Sequence, residues 1–480
     1  MGNFEASWTL RRKTSNRRPR PGTTGLGANW PCRGLGLLAL LALLAGEARG
    51  NSWRAFGLGP RATAMAGAFA AVADDFSAAY YNPAGILARP GIKLGAGYQY
   101  VKENLQANGV EQISSRDADG IYLGGSMSIP FTDEWKDRVA IGYCFLQPIF
   151  YSIDILIPEA TGPQFPTLES MARMQILHLV TAFDLIPGVL VGGGLTLSSD
   201  LGGSLDLSTG IAGFGGMDEV LTSVDQEVHP ILSGTAGILV RPGRFHASLK
   251  PLSLGFVWRD EHSLDLNIPV QVLLSGFLLR LDLTSAFLYT PRQWVAGLGW
   301  RPSRNLLVAC DVSYNEWSGY EVPSLSIDTD IDIPMIVLKK GVNAPPSFHD
   351  TVTPRVGVEF TPLRGRTLDF VVRGGYSFEP SPVPEQTGRT NLMDSNRHLF
   401  SWGMGLALKR LFGKELSGRS LSFDLAVALH WLEERVHRKG TGVLEDNPGY
   451  PEITSSGDLW VFTLGFTYGP APEEEADSLH

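Results

Sequence analysis

The length and rhythm of its alternating segments restrict this chain more than any other feature. In Ser420–Trp431, Leu421, Phe423, Leu425, Val427, Leu429 and Trp431 fall on one face. Ser422, Asp424, Ala426, Ala428 and His430 fall on the other. Thr367–Phe378 sets Leu368, Phe370, Val372, Tyr376 and Phe378 against Asp369, Arg373, Gly375 and Ser377. Ile92–Tyr100 and Asp458–Tyr468 repeat the pattern. A period of two marks a strand with one apolar and one polar face. The spans near 91–101, 119–129, 137–147, 172–184, 188–200, 228–240, 250–263, 280–301, 304–315, 353–363, 367–379, 398–409, 420–433 and 457–468 read this way. Ordinary strands run to five or six residues; a tilted bilayer crossing needs about ten.

The connections alternate in length. Those at 130–136, 185–187, 241–249, 302–303, 364–366 and 410–419 are short. Those at 102–118, 148–171, 201–227, 264–279, 316–352, 380–397 and 434–456 are long. A sandwich or propeller has no reason for such a bias; an outer-membrane barrel has short periplasmic turns and long outside loops. The alternation holds only if 280–301 crosses once, bent at Pro291. The expectation is an all-β fold: a 14-stranded antiparallel transmembrane β-barrel over 91–468. Trp258, Tyr289, Trp300, Trp402, Trp431 and Tyr468, near strand ends, read as interfacial girdles.

The front of the chain fixes the compartment. Arg11, Arg12, Lys13, Arg17, Arg18 and Arg20 precede the Leu/Ala run Leu35–Ala45, and Ala48-x-Gly50 follows. That is a signal peptide over 1–50, too short in its apolar part to span as a helix. Removing its eight basic and two acidic residues from 40 and 49 leaves 32 and 47, a net charge of −15. Such a surface disfavours nucleic acid as a partner. Cys144 falls on a lumenal parity and Cys310 on a lipid-facing one, so no disulfide joins them. Residues 469–480, with Glu473, Glu474, Glu475 and Asp477, form an acidic tail read as periplasmic.

Residues 51–90 do not alternate. Pro60 starts an Ala-rich stretch through Ala73 that favours short helix, and Asn82-Pro83 forces a turn. Forty residues of this composition cannot hold a core alone. Packed inside a barrel they can, which predicts an N-terminal, partly helical hatch plugging the lumen; the other reading is a periplasmic extension.

Gly59–Gly85, with Ala73-Asp74-Asp75 leading to Asn82-Pro83-Ala84, resembles the hatch signature of the FadL/TodX family of outer-membrane transporters for fatty acids and aromatic hydrocarbons. Leu307–Ser318 and Phe378–Pro384 resemble two further family segments. The resemblance implies a fourteen-stranded barrel, capture of a hydrophobic solute outside, binding beside the hatch, hatch rearrangement and lateral release. Asn82, Pro83, Ala84, Asp74, Asp75 and Arg61 would then serve gating. The start Asn51–Phe56 departs from the Gly-Phe of the fatty-acid members, which leaves the substrate open; Trp53 and Phe56 are the pocket candidates there. The expected partners are hydrophobic small molecules, outer-membrane lipid, lipopolysaccharide and the barrel assembly machinery. The alternative is a barrel that assembles or shuttles secreted proteins; an apolar cleft beside the hatch would favour uptake and a polar one the shuttle.

Lys93, Asp311, Glu359, Asp369, Arg373 and Asp424 fall on lumenal parities, where charge is tolerated. They read as a network holding the hatch, with Lys93 and Arg373 as the candidate anchors for a carboxylate head group. Asp328, Asp330 and Asp332 form either a calcium loop or a solvated one. No Gly-x-Ser-x-Gly elbow, phosphate loop or His-Glu-x-x-His occurs, and Ser422 and His430 are too far apart to pair. No enzyme and no cofactor are expected.

Overall fold

A computed structural model describes residues 56–111, 117–130, 137–150, 165, 167, 175–199, 230–274, 277–320, 347–386, 391–439 and 449–471. The leader, Trp53, the Asp328–Asp332 run and the acidic tail from 472 onward lie outside the described residues.

The strands are β1 Lys93–Ala107, β2 Ala118–Ser128, β3 Val139–Phe150, β4 Gln175–Ile186, β5 Val189–Ser199, β6 Pro230–Val240 and β7 Leu252–Arg259. There follow β8 His262–Leu274, β9 Phe277–Thr290, β10 Arg292–Ser303, β11 Leu306–Glu316 and β12 Thr351–Arg364. The last four are β13 Leu368–Glu379, β14 Arg397–Leu408, β15 Arg419–Arg438 and β16 Glu452–Pro470. Strands β1–β7 and β10–β16 form one antiparallel sheet of fourteen long strands in sequence order. It closes where β16 pairs with β1, in register from Leu94 opposite Tyr468 to Ala107 opposite Ser455. Closure satisfies every ladder without an edge, the condition for β-structure in hydrocarbon.

Segment 280–301 is not one bent strand: only Arg292–Ser303 lies in the wall, which keeps the single crossing that the loop rhythm requires, while Phe277–Thr290 pairs outside it. Strand β10 pairs with β7 inside the barrel, while β9 pairs with β8 as a separate two-stranded ladder. Pro291, which lacks an N–H, stands at the break between them. The expected loop 264–279 is therefore mostly hairpin. Strands β1, β15 and β16 also run past the lengths expected of them on the long-loop side.

The two faces have the chemistry that alternation demands. Phe423, Leu425, Trp431, Phe462 and Leu464 are exposed on the outside, whereas Ala426, Ala428, His430, Val461 and Thr463 are buried on the inside. Cys144 is buried and Cys310 exposed, both free. Trp300, Trp402 and Trp431 are exposed large side chains on the wall, but Trp402 lies in the middle of β14 rather than at a strand end. The girdle reading fails for Tyr289: this ring is buried with Trp317, Tyr320 and Phe348 in a satellite cluster at the long-loop end. Its hydroxyl donates to the Glu316 carbonyl at 3.1 Å. Loop residues from 317 onward supply a cover that strand parity cannot see.

Residues 56–92 lie against inner-face residues all round the barrel. They hold helix α1 (Pro60–Ala64), helix α2 (Ala78–Tyr81) and a 3-10 turn at Pro83–Leu87. Leu58, Met65, Phe69, Phe76, Ile86 and their neighbours form the main buried cluster with Tyr122, Cys144, Val180, Leu190 and Leu239 of the wall.

Candidate functional site

The N-terminal segment fits because both partners are small. A Cβ at wall Gly255 would lie 2.3 Å from the Ala70 carbonyl oxygen, and one at Gly375 would lie 2.4 Å from the Met65 carbonyl carbon. A Cβ at Gly192 would lie 2.5 Å from Ala84 N, and one at Gly237 would lie 2.1 Å from Asn82 Oδ1. Contacts under 3 Å are steric exclusions, so the backbone of the segment occupies space that side chains would otherwise fill.

Polar contacts then fix the register. Pro60 opens α1, and the Thr63 hydroxyl donates back to the Gly59 carbonyl at 2.9 Å. Arg61 reaches Asp74 at 2.5 Å, Asp75 at 3.6 Å and Glu359 of β12 at 2.8 Å. Arg373 of β13 bridges Glu359 at 2.8 Å and Asp424 of β15 at 2.6 Å. Arg89 closes on the other oxygen of Asp74. Burial alone would raise the Asp74 carboxyl, but Arg61 and Arg89 outweigh it and hold it well below the usual carboxylate range. Asp75 accepts from the Ser77 amide and hydroxyl at 2.8 and 2.6 Å, a local turn bond.

Two further anchors lie across the lumen. One carboxylate oxygen of Asp311, on β11, accepts from the Phe69 and Ala70 amides, each at 2.8 Å. Asn82 donates to the Ala70 carbonyl at 2.7 Å and to the Ile238 carbonyl of β6 at 3.2 Å. Its own oxygen accepts from Ala84 N at 3.1 Å and so caps the 3-10 turn that Pro83 starts. Asn82 thus ties the middle of the segment both to itself and to the wall, while Ala84 packs fully buried below it.

The expected lumenal charges are all inside. Lys93, however, donates to the Ile86 and Asp74 carbonyls at 2.7 and 3.2 Å, and Arg373 spends its donors on Glu359 and Asp424. Asp369 instead pairs with Lys409 at 3.1 Å, near the turn end and away from the segment.

A cavity of about 80 Å³ lies between the segment and strands β7, β10–β15. Phe56, Val295, Leu399 and Ala428 supply apolar lining, and Arg259, Asp311, Arg355, Glu379 and His430 supply polar lining. Phe56 is buried and meets the His430 ring edge-on at 5.7 Å. Neither Lys93 nor Arg373 lines this space. Arg259 donates to the Tyr80 and Tyr81 carbonyls at 2.9 and 2.7 Å and to Gln293 at 2.5 Å. Arg355 donates to Ser313 at 2.7 Å and stands 3.6 Å from Glu379. Arg259, Arg355 and Glu379 were missed at the level of sequence, although each continues the lumenal parity of its strand: Gly255-Val257-Arg259, Arg355-Gly357-Glu359 and Gly375-Ser377-Glu379. Among the described residues no His, Cys, Asp and Glu cluster has a metal-binding arrangement.

A closed fourteen-stranded wall whose own N-terminal segment packs inside it is the architecture of an outer-membrane β-barrel. No protein-family model matches the chain. It is 19% identical over 445 residues to Alkane uptake protein A of Marinobacter nauticus, covering 89% of this chain and 93% of that protein. Its fold matches a crystal structure of a Pseudomonas aeruginosa FadL homologue at a TM-score of 0.57 and 14% identity, over 87% of this chain and 99% of that one. It also matches the P. putida toluene transporter TodX at a TM-score of 0.52 and 14% identity, over 87% and 100% of the two chains.

Proposed function

We propose that this barrel takes up hydrophobic compounds across the outer membrane, the class that includes alkanes, aromatic hydrocarbons and long-chain fatty acids. The observation that carries the reading is the cavity between the N-terminal segment and the wall, inside a closed barrel. In it the segment acts as a hatch. A solute entering from the long-loop end binds beside Phe56 and displaces the segment. Release is lateral, where β16, β1 and β2 meet. There the Phe76 ring lies against Gly95 and Gly124, and the Tyr122 ring of the wall covers Gly97 and Gly465. The lining is as polar as it is apolar, so by the cleft criterion it supports the shuttle reading as much as uptake, and the uptake assay separates the two. The cations facing a carboxylate-bearing solute would be Arg259 and Arg355.

The test is uptake of labelled n-alkanes, toluene and long-chain fatty acids by a deletion strain with and without the chain. Uptake should return with the chain. Affinity should rise about fourfold per added methylene, the equivalent of ~0.8 kcal/mol per buried CH₂. A flat response along the series refutes the reading.

A further inference from the structure

The turn end of the barrel is basic over one arc, and we propose that this arc binds anionic phospholipid head groups of the periplasmic leaflet. Four successive turns carry it. Arg244 and Lys250 lie between β6 and β7, Arg304 lies between β10 and β11, and Arg366 lies between β12 and β13. Arg410 and Lys414 lie between β14 and β15, and Arg419 opens β15. All seven are exposed, and among the described residues none is ion-paired. The exposed acids at this end, among the described residues, are Asp137 and Glu415. The opposite end is reversed: Asp117, Glu261, Glu385, Glu434 and Glu452 are exposed there against Lys102 and Arg438.

Two observations place the arc at head-group depth rather than in open periplasm. The cations adjoin the aromatic rim of the lipid-facing wall. The Arg419 guanidinium lies 5.7 Å from the centre of the Tyr468 ring. Aromatic rings at this position mark the interface. In addition, two phenylalanines are presented outward among the cations. Phe412 is 96% exposed at the tip of the Arg410–Glu415 hairpin, and Phe245 is 58% exposed beside Arg244. A basic surface with protruding aromatic rings suits a membrane surface that offers phosphate outside and acyl chain beneath. This inference is separate from the uptake reading and neither depends on the other.

The test uses the full chain in nanodiscs of mixed phosphatidylcholine and phosphatidylglycerol, with retained lipid counted by native mass spectrometry. Phosphatidylglycerol should be enriched about fivefold over its bulk share. The joint variant Arg244→Gln, Lys250→Gln, Arg304→Gln, Arg410→Gln and Lys414→Gln should bring this below about twofold, as should roughly 0.5 M salt, where screening is strong. Lys102→Gln with Arg438→Gln, at the other end, should leave it unchanged. Enrichment below about twofold in the unaltered chain, or no response to the five substitutions, overturns the proposal. So does retention that ignores lipid charge. If the five-site variant does not fold, the salt titration of the unaltered chain decides.

Discussion

Asp311→Ala is the sharpest probe of how the N-terminal segment is held. One oxygen of this buried carboxylate accepts from both the Phe69 and the Ala70 amide at 2.8 Å. The substitution leaves two buried N–H groups without an acceptor. Hydrogen bonds to a charged group contribute about 1.5–3 kcal/mol each, and they are not additive when they share an acceptor. A loss of about 3 kcal/mol in docking the 60–73 region follows, some 150-fold in its opening equilibrium. The barrel ladders do not pass through Asp311's side chain, so global unfolding should move far less. Hydrogen exchange resolved to single amides, on protein in lipid nanodiscs, reads both. Phe69 and Ala70 should lose about two powers of ten of protection, with β15–β16 amides nearly unchanged. Asp311→Asn keeps one acceptor and should fall between. Equal loss of protection in the segment and in the strands would refute the reasoning, as would unchanged exchange at Phe69.

Other consequences follow from the same contacts. Arg373→Ala strands Asp424 as a buried anion and leaves Glu359 to Arg61 alone, so it should destabilise the fold by about 3 kcal/mol in urea titrations; adding Asp424→Asn should recover part of that, and no recovery would refute the bridge. Gly255→Val puts a side chain where the Ala70 carbonyl lies, so it should expel the segment and raise single-channel conductance in planar bilayers; unaltered conductance would count against a lumenal plug. Asp74 has a depressed folded pKa, so its contribution is complete above the ordinary Asp value of about 3.9 and lost as pH falls below it. Exchange at Ala62–Ala73 should therefore be steady down to about pH 4 and rise only under it. Asp74→Asn should abolish that acid dependence, and loosening already complete at pH 5 would refute it.

Parity made the wall legible, because a slip of one residue would turn every side chain to the wrong face. From Ser422 to His430 each inward residue could be named from the chain alone, and so could Cys144, Lys93, Asp311 and Arg373. What parity cannot give is the partner. Lys93 and Arg373 share a lumenal parity with Arg259 and Arg355, yet the first pair is consumed by Ile86, Asp74, Glu359 and Asp424 while the second reaches the cavity. That depends on height along the barrel and on which stretch of the segment passes at that height. Neither is periodic in the sequence. The β8–β9 hairpin escaped for a related reason: outside the wall, period and length no longer distinguish a strand from a loop.

The segment and the wall glycines explain each other. Fifty-five glycines in a chain of long strands would weaken an ordinary sheet. Here the sites that face Met65, Ala70, Asn82 and Ala84 are those where a Cβ would collide with the segment backbone. The residues of the segment that meet them are small for the same reason. The interface nonetheless buries Leu58, Met65, Phe69, Phe76 and Ile86, so its grip combines that apolar area with a few directed bonds from Arg61, Asp311 and Asn82. Directed bonds fail together once their geometry shifts, whereas buried apolar area is lost in proportion to what is uncovered. Moving this segment off the wall would therefore have to uncover Phe69 and Phe76 as well as break those bonds.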